Sequence, residues 1–336
     1  MKSIKLISIK EMKATHLVVV FVLFAALLLM TGGNKEEGSI ENAPSVVEAL
    51  PNTEIADGEN TKLSKSELFA RMEKLKKPAE NFADFYETEK VHGELILGIY
   101  DVIEDYYGLP ADVLYNQLMK ESRGKCTMRA NRAGAVGCFQ FLDHTAREFG
   151  LLNDQGDFRG NPYASAEASA RYLVWLTTLI FGEDANPSDW EQLRYSLAAF
   201  NAGHGNVKRS GRVRIPNFSE TIEYVHDIEA LAKNEAAWVY PGDTIEKIAK
   251  RTGVHTDELL RGNPNITDDR GLRAHTILSL PDPQTGMSSL LVKKGMSLYQ
   301  LQSGTGVGID LIKKANGMGT RDTLYFGDII KIPTRI

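Results

Sequence analysis

One acidic side chain in this 336-residue chain is placed as a general acid would be. Leu114, Leu118 and Glu121 are spaced by four and then three residues, so a helix would carry all three on one face. That face is expected to pack on a core, which puts the Glu121 carboxyl at the edge of apolar surroundings. Because desolvation disfavours the charged form, the pKa of this carboxyl should rise, as suits a general acid near neutral pH. A surface glutamate at a frayed helix end is the plainer alternative.

Two glycine-containing stretches could complete a binding site around such an acid. The first, GAVGCFQF, runs from Gly134 to Phe141. Gly134 and Gly137 lack a Cβ, so the backbone there can come close to a ligand, and Gln140 offers both a hydrogen-bond donor and an acceptor. The second, AAFNAG, places Asn201 at a predicted helix C-terminus. Its side chain would either face the binding site or cap the helix.

The three stretches, in this order, resemble the motifs of the soluble-type lytic transglycosylase domain, which is related to goose-type lysozyme. The family pattern is Glu-Ser, then Gly-x-x-Gly-x-x-Gln, then Ala-Tyr-Asn-Ala-Gly. Glu121 and Ser122 match the first motif, and Phe200 replaces the tyrosine of the third. A fourth family feature, a tyrosine after a Glu-Thr pair, is matched by Tyr224. The resemblance covers residues 90–232 and implies a mainly α-helical, lysozyme-like catalytic domain.

The resemblance also implies a reaction with one carboxylate, although glycoside hydrolysis ordinarily uses two. Glu121 would protonate the glycosidic oxygen between N-acetylmuramic acid and N-acetylglucosamine, while the substrate's acetamido group stabilises the cationic centre. Glu121 would then take the proton of the muramyl 6-hydroxyl, giving a 1,6-anhydro product without water. The same resemblance implies substrate-binding or supporting roles for Ser122, Gly137, Gln140, Asn201 and Tyr224.

The motifs leave two rival functions open. A hydrolytic muramidase would use water and a second carboxylate, for which Asp143 is the candidate because it follows the glycine-containing turn. Asp143 also stands at a predicted helix start, where aspartate commonly caps the helix. A non-catalytic peptidoglycan-binding protein is the rival from a different functional class.

The C-terminal part of the chain contains an internal repeat. VYPGDTI, starting at Val239, recurs as VKKGMSL, starting at Val292, and both copies end on an apolar residue followed by proline. Each copy is predicted to form a strand, two short helices and a second strand, with the helices packed on the two-stranded sheet. The copies, residues 237–282 and 289–334, resemble the LysM module, which binds N-acetylglucosamine-containing glycans. Together with the helical domain, they predict an α+β multidomain protein.

The LysM resemblance implies a shallow glycan groove between the strand-to-helix loop and the helix-to-strand loop of each module. Two differences separate the copies: Met296 replaces the usual aspartate in the second, and His275 in the first stands where the second has Gly327. Weak binding by each copy, strengthened by linkage, is the expectation, and spacers without a ligand are the alternative. The implied glycan-binding residues are Gly242, Asp243, Thr244, Asn263, Gly295, Ser297 and Asn316.

The first 33 residues carry the features of a targeting segment. Four lysines precede an unbroken apolar run from Leu17 to Met30, which small residues follow. This pattern predicts a secretory signal in residues 1–33 and hence an exported protein of the periplasm or cell envelope. The run is shorter than the roughly 20 residues of a spanning helix, and an uncleaved inner-membrane anchor is the alternative. Residues 34–89 are predicted to be a polar spacer followed by a helical segment.

Cys126 and Cys138 are the only cysteines of the chain. In an exported protein such a pair favours a disulfide, which here would staple the loop after the predicted acidic helix. On a chain-entropy model this loop closure could contribute about 3 kcal/mol. Two buried free thiols are the alternative.

Composition and motif content exclude several functions. A formal net charge of −5, without a basic stripe, gives no support for nucleic-acid binding. The seven histidines form neither an HExxH pattern nor another paired-ligand spacing, and no glycine-rich phosphate loop precedes a helix in the required strand context. The sequence therefore predicts no cofactor and no metal. The two resemblances imply peptidoglycan glycan strands as the partner, and a monomer is expected.

Overall fold

The structure is a computed structural model, and it describes residues 54–56, 62–64, 66, 70, 89–126, 129–209 and 212–335. The predicted targeting segment, residues 1–33, lies outside these residues. In the stretch for which the sequence predicts a spacer and helices, the described residues include two short antiparallel strands, β1 (Glu54–Ala56) and β2 (Lys62–Ser64). Among the described residues, no helix is both long and apolar enough to cross a bilayer.

Residues 89–232 fold into a helical domain with two small hairpins. The hairpins pair β3 (Leu152–Asn153) with β4 (Gly156–Asp157), and β5 (Lys208–Arg209) with β6 (Arg212–Val213). The helices, in chain order, are α1 (Glu89–Tyr107), α2 (Val113–Ser122), α3 (Asp143–Glu148), α4 (Pro162–Phe181), α5 (Trp190–Ala202), α6 (His204–Val207) and α7 (Ser219–Ala232).

The core of this domain is built around α4. The first half of this helix buries four small residues, Ala164, Ala166, Ala168 and Ala170. Their size lets α1 and α5 approach closely, and Leu173 fills the same core further along the helix. The apolar stripe read from the sequence belongs to this core, because Leu114 and Leu118 are both buried in it. The helix that carries Glu121 is therefore anchored by its own apolar face.

The N-terminus of α2 has no cap from its own segment. The helix begins at Val113, and Asp112 before it adopts a left-handed conformation with φ of 63° and does not cap the helix with its side chain. The buried Glu104 carboxyl of α1 caps it from outside, accepting the backbone N–H of Asp112 at 2.9 Å and of Leu114 at 2.6 Å. This contact fixes α2 at the end opposite to Glu121.

Residues 236–333 form two small modules. The strands and helices of the first are β7 (Ala236–Trp238), α8 (Ile245–Thr252), α9 (Thr256–Gly262) and β8 (Ile277–Ser279). Those of the second are β9 (Met287–Leu291), α10 (Leu298–Thr305), α11 (Ile309–Ala315) and β10 (Ile329–Pro333). In each module the two strands pair antiparallel and the helices pack on them. These elements confirm the predicted α+β architecture with two βααβ modules.

The repeat extends to the caps of the first helix in each module. The side chains of Thr244 and Ser297 each accept a backbone N–H at the start of α8 and α10. Gly253 and Gly306 end these helices with φ of 71° each, a conformation that favours glycine. Because equivalent residues cap equivalent helices, the two copies share one fold despite their sequence differences.

Candidate active site

Glu121 lies in the last turn of α2, where the buried stripe of that helix ends. Leu118 is buried, whereas Glu121 keeps part of its surface exposed, and the adjacent Ser122 hydroxyl donates back to the Leu118 carbonyl at 3.2 Å. Burial of the carboxyl raises the pKa of Glu121 from 4.5 to about 7. A substantial fraction of this side chain is therefore protonated at neutral pH, as a general acid requires.

Three neighbouring side chains adjust the pKa of Glu121 around the value that burial sets. The Tyr224 hydroxyl, a hydrogen-bond donor from α7, lowers it, and the charge of Glu220 raises it. The charge of Lys120 lowers it as well. Lys120 is held to one side, since its Nζ donates to the Asp227 carboxylate at 2.7 Å. The carboxyl is thus balanced between groups that favour its charged form and groups that oppose it.

A buried polar chain lies one turn before Glu121 on α2. Gln117 is fully buried, and its Oε1 accepts a 2.6 Å hydrogen bond from the hydroxyl of Ser169 on α4, which is also fully buried. Burial and then the charge of Glu121 raise the pKa of Tyr224, whereas the Gln117 side chain lowers it. Among the described residues, the Gln117 amide nitrogen and the Tyr224 hydroxyl are buried without a hydrogen bond of ordinary geometry. The polar groups directly beside Glu121 are therefore held by contacts looser than ordinary hydrogen bonds.

Asn201 is connected to the start of α7, close to the same carboxyl. Its Oδ1 accepts a 2.7 Å hydrogen bond from the hydroxyl of Thr221. Thr221 directly follows Glu220 and lies one helical turn before Tyr224, both of which influence Glu121. The first motif, AAFNAG and the Glu-Thr pair with its tyrosine therefore meet at one end of α7.

Gly137 and Gln140 shape the loop between α2 and α3. Gln140 has a φ of 51°, and its side chain donates to the Gly137 carbonyl at 2.8 Å and accepts from Asn131 at 3.1 Å. Gly137 has a φ of 82°, and a Cβ there would overlap the backbone of Arg159. Only glycine fits this close approach, and both polar ends of Gln140 are engaged in holding the loop.

Two further interactions brace this loop. Cys126 and Cys138 form a disulfide that joins the end of the α2 segment to it. The buried guanidinium of Arg159 donates to the Phe141 carbonyl at 3.3 Å and to the Asp143 carboxylate at 2.6 Å. Asp143 is therefore engaged in an ion pair, which argues against the free second carboxylate that a muramidase would need.

Aromatic rings join the glycine-containing loop to AAFNAG. Phe200, which replaces the family tyrosine, has its ring centroid 5.6 Å from that of Phe141 and 5.3 Å from that of Tyr172. Tyr172 stacks on the exposed Trp175, whose ring meets His204 edge-on. The rings fix the second and third motifs relative to each other.

The motif asparagines of both modules are bound to their own backbone. Asn263 donates to the carbonyls of Leu259 and Ser279 at 2.8 Å each, and its Oδ1 accepts the backbone N–H of Ser279 at 2.8 Å. Asn316 makes the equivalent set of bonds in the second module. These side chains hold the helix-to-strand loops in place, so they would contribute to a groove through the shape of the loop.

The strand-to-helix loops share one feature and differ in another. Gly242 and Gly295 have φ of 81° and 83°, which the tight turn in each module requires. Asp243 accepts a backbone hydrogen bond within its turn and pairs with Arg251 at 3.0 Å. Met296 can form no such ion pair. The aspartate of the first module is thus part of the turn itself.

Several residues of the site were not anticipated from the sequence. Gln117 lies four residues before Glu121, so the helical spacing that selected Leu118 could have flagged it. Ser169 and Arg159 come from distant segments, and no spacing signal connects them to α2. Among the described side chains, no three His, Cys, Asp or Glu residues are grouped so that they could hold a metal ion.

The sequence matches two known domain families. Residues 100–215 match the family described as the Transglycosylase SLT domain. Residues 239–281 and 291–333 each match the LysM domain. The first match contains Glu121, Gln140 and Asn201, while Tyr224 lies beyond its end.

Proposed function

We propose that this chain, which carries a transglycosylase SLT domain followed by two LysM domains as its motifs predicted, is an exported peptidoglycan lytic transglycosylase. The domain content supports a peptidoglycan-degrading enzyme of transglycosylase or lysozyme type that binds glycan strands. The finer proposal is cleavage of the β-1,4 bond between N-acetylmuramic acid and N-acetylglucosamine, with formation of a 1,6-anhydro end. The observation that carries it is one carboxyl, Glu121, whose pKa burial raises to about 7.

Glu121 acts first as an acid and then as a base. The protonated carboxyl donates to the glycosidic oxygen as the bond between that oxygen and C1 of the muramyl residue breaks, and the N-acetylglucosamine side leaves as an alcohol. The acetamido oxygen of the substrate stabilises the positive charge at C1. The Glu121 carboxylate then accepts the proton of the 6-hydroxyl, whose oxygen bonds to C1 and closes the anhydro ring. Glu121 ends protonated, so no water is consumed.

Tyr224 and Gln117 suit the second half of this cycle, in which Glu121 is charged. The Ser169 hydroxyl engages the oxygen of Gln117, so the other end of this amide presents N–H donors. Donation from this N–H group to the Tyr224 oxygen, which fits the lowering of the Tyr224 pKa by Gln117, would leave the Tyr224 proton to be donated to the Glu121 carboxylate. We assign Tyr224 to stabilising the carboxylate, and Gln117 with Ser169 to positioning Tyr224.

The substrate is proposed to contact Asn201, which binds the N-acetyl group, as the family resemblance implies. Gly137 and Gln140 hold the neighbouring loop in shape, Gly137 through its close approach to the Arg159 backbone and Gln140 through its side-chain hydrogen bonds. Asp143 takes no part, because Arg159 already engages it.

Export belongs to the same proposal, because peptidoglycan lies outside the cytoplasmic membrane. The predicted signal in residues 1–33 supports it, and the disulfide between Cys126 and Cys138 suits an oxidising compartment. We assign the protein to the periplasm or cell envelope, with the leader either cleaved or kept as an anchor. Fractionation of expressing cells, with N-terminal sequencing of the mature chain, tests this placement; a cytoplasmic chain would contradict it.

Digestion of purified peptidoglycan, followed by mass spectrometry of the released fragments, tests the reaction. Anhydro-ended muropeptides are expected. Reducing ends alone would identify a muramidase that uses water. If Glu121→Gln releases the same fragments as the wild type at the same rate, the assignment of Glu121 is wrong. If neither protein releases fragments although both bind the wall, the chain is a non-catalytic binder.

A further inference from the structure

Positive charge in the catalytic domain is concentrated in two segments of the chain. Residues 122–142 follow Glu121, and residues 202–219 follow Asn201. Each segment carries four lysines and arginines and no aspartate or glutamate, whereas the rest of residues 89–232 carries more acidic than basic residues. The cations are Arg123, Lys125, Arg129 and Arg132 in the first segment, and Lys208, Arg209, Arg212 and Arg214 in the second. Both segments are thus basic although the whole chain has a formal net charge of −5.

The first basic segment is held beside the proposed catalytic acid. Arg123 caps the C-terminus of α2, two positions after Glu121. The disulfide from Cys126 and the hydrogen bond from Asn131 to Gln140 join the rest of the segment to the glycine-containing loop. The cations of this segment therefore lie on a braced loop next to the end of α2.

The second basic segment is a loop whose two ends meet at the site. Asn201 and Thr221, which flank it, are joined by a 2.7 Å hydrogen bond between their side chains. Between them, Val207 is buried in the core of the domain, and the hairpin of β5 and β6 follows it. Lys208 Nζ donates to the Leu179 carbonyl near the end of α4 at 2.9 Å. The hairpin is thus packed on the domain, with its base at the proposed active site.

The charges of these segments are not neutralised within the protein. The seven cations whose side chains the structure describes are all exposed. None of the seven is in an ion pair within the described part of the chain, whereas Lys120 nearby is paired with Asp227. Asp143, the first acidic residue after the first segment, is engaged by Arg159 instead. Among the described residues, no ion pair joins Glu220, the first acidic residue after the second segment, to these cations. We call the seven the basic rim: Arg123, Lys125, Arg129, Arg132, Lys208, Arg209 and Arg214.

The basic rim is suited to carboxylates that a bound glycan strand carries with it. Muramyl residues bear peptide stems, and the free carboxylates of these stems extend sideways from the strand, towards the walls of the site. Unpaired lysines and arginines attract such groups. Apolar surface lies among the cations of the second segment, since Val213 is 36% and Phe218 is 51% exposed, and it suits the alkyl groups of a peptide. A bilayer is anionic as well, but at the base of the hairpin it would compete with the strand for the same space.

We propose that the basic rim binds the carboxylates of the peptide stems, so that the enzyme prefers strands that carry stems to strands that lack them. The inference rests on the proposed function, since the strand is the one that Glu121 cleaves. The contacts are electrostatic and exposed, so they act on capture of the strand, and hence on KM, and they weaken as salt is added. A single exposed contact contributes little, so the cations are removed in pairs.

Cleavage of soluble, uncrosslinked glycan strands tests the basic rim. The full chain is assayed on strands with stems, on the same strands with their carboxylates converted to neutral amides, and on strands stripped of stems by an amidase. On strands with stems, Arg209→Gln/Arg214→Gln and Arg129→Gln/Arg132→Gln should each lower kcat/KM about threefold to tenfold, mainly through KM. On the amidated and the stripped strands, the wild type should fall towards the level of these variants.

The matched control is Lys250→Gln/Lys314→Gln, which removes two exposed cations from α8 and α11 and should behave as the wild type on all three substrates. Thermal unfolding checks that every variant is folded. Titration of the strands into the same proteins with Glu121→Gln repeats the comparison as Kd, without turnover. If the wild type releases no anhydro fragments, the proposed reaction fails while Kd still tests the basic rim.

Four results would overturn the inference. The first is equal kcat/KM and Kd for the wild type and both rim variants on strands with stems. The second is an equal fractional loss on all three substrates, which would mean that the arginines support the fold or the chemistry. The third is wild-type activity that survives removal of the stems but not amidation, which would assign the rim to the lactyl carboxylate of the sugar. The fourth is sedimentation with phosphatidylglycerol vesicles that the rim variants abolish while kcat/KM stays unchanged, which would make the rim a membrane-binding surface.

Discussion

The catalytic site and the LysM loops use similar polar side chains in opposite ways. Among the described residues beside Glu121, the Gln117 amide nitrogen and the Tyr224 hydroxyl are buried and meet their neighbours only through contacts looser than ordinary hydrogen bonds. Asn263 and Asn316 are also residues that the sequence motifs selected, but the nitrogen and the oxygen of each amide are hydrogen-bonded to backbone groups. Buried polar groups without ordinary hydrogen bonds cost stability, so their position beside Glu121 indicates that this region serves activity more than stability. Substitutions in the first region should therefore impair activity, and those in the second should impair folding.

Glu121→Gln should have the largest effect of these substitutions, and it should reduce activity without reducing stability. Glutamine keeps the size of the side chain but cannot transfer a proton, so turnover of soluble glycan strands should fall by about 10²–10⁴-fold. Because the wild-type carboxyl must ionise against the raised pKa, the variant should unfold at an equal or higher temperature above neutral pH. Steady-state kinetics and thermal unfolding measure the two quantities. A large loss of thermal stability with normal turnover would show that Glu121 supports the fold and not the reaction.

The same contrast explains what could be predicted from the sequence. The stripe of Leu114, Leu118 and Glu121 depends only on spacing along one helix, and the structure contains that helix with both leucines buried. The partner of Gln117, by comparison, is Ser169 on another helix, 52 residues away. Such a pair depends on how two helices cross, and periodicity within either helix carries no information about the crossing.

In the LysM modules the fold could be predicted from the sequence, but the role of individual side chains could not. Their order of strand, helix, helix and strand was predictable, because turns, caps and apolar spacing are local and occur twice. The role of Asn263 was not, because an asparagine at a helix end can cap, bind a ligand or lock a loop. That choice is made by Ser279, which reaches it only when β8 has folded back. The docking of the first module on α2 was not anticipated either, since Trp238 and Asn116 are 122 residues apart.

The next largest effect is expected on the stability of the LysM modules. Asn263→Ala and Asn316→Ala should each destabilise the module that contains the residue. Each substitution leaves backbone carbonyl and N–H groups of the loop unpaired, which should cost about 1–3 kcal/mol of unfolding free energy. Denaturant unfolding followed by circular dichroism measures the loss, with Asn265→Ala, an exposed residue of the same loop, as the control. Unchanged unfolding curves together with abolished glycan binding would instead make these side chains direct ligands.

Tyr224→Phe should lower activity with little effect on stability, because the hydroxyl it removes has no ordinary hydrogen bond among the described residues. Loss of a donor to the Glu121 carboxylate should reduce kcat about tenfold or somewhat more. Tyr224 lowers the pKa of Glu121, so in the variant this pKa rises and the fall of kcat/KM on the alkaline side moves to higher pH. Tyr195→Phe on α5 serves as a control for loss of a tyrosine hydroxyl. An unshifted pH profile would remove Tyr224 from the chemistry.

Glu220→Gln should have the smallest effect, and it should lower the pKa of Glu121, whereas Tyr224→Phe should raise it. For the wild type, kcat/KM should fall as pH rises through about 7, since only protonated Glu121 can donate to the glycosidic oxygen. The charge of Glu220 raises that pKa, so the neutral variant should lose activity at a lower pH than the wild type. Because Glu220 is exposed, solvent screens its charge, and the shift should shrink further as salt is added. If Glu220→Gln instead abolishes activity at every pH, Glu220 is a second catalytic carboxylate, and the mechanism with Glu121 alone is wrong.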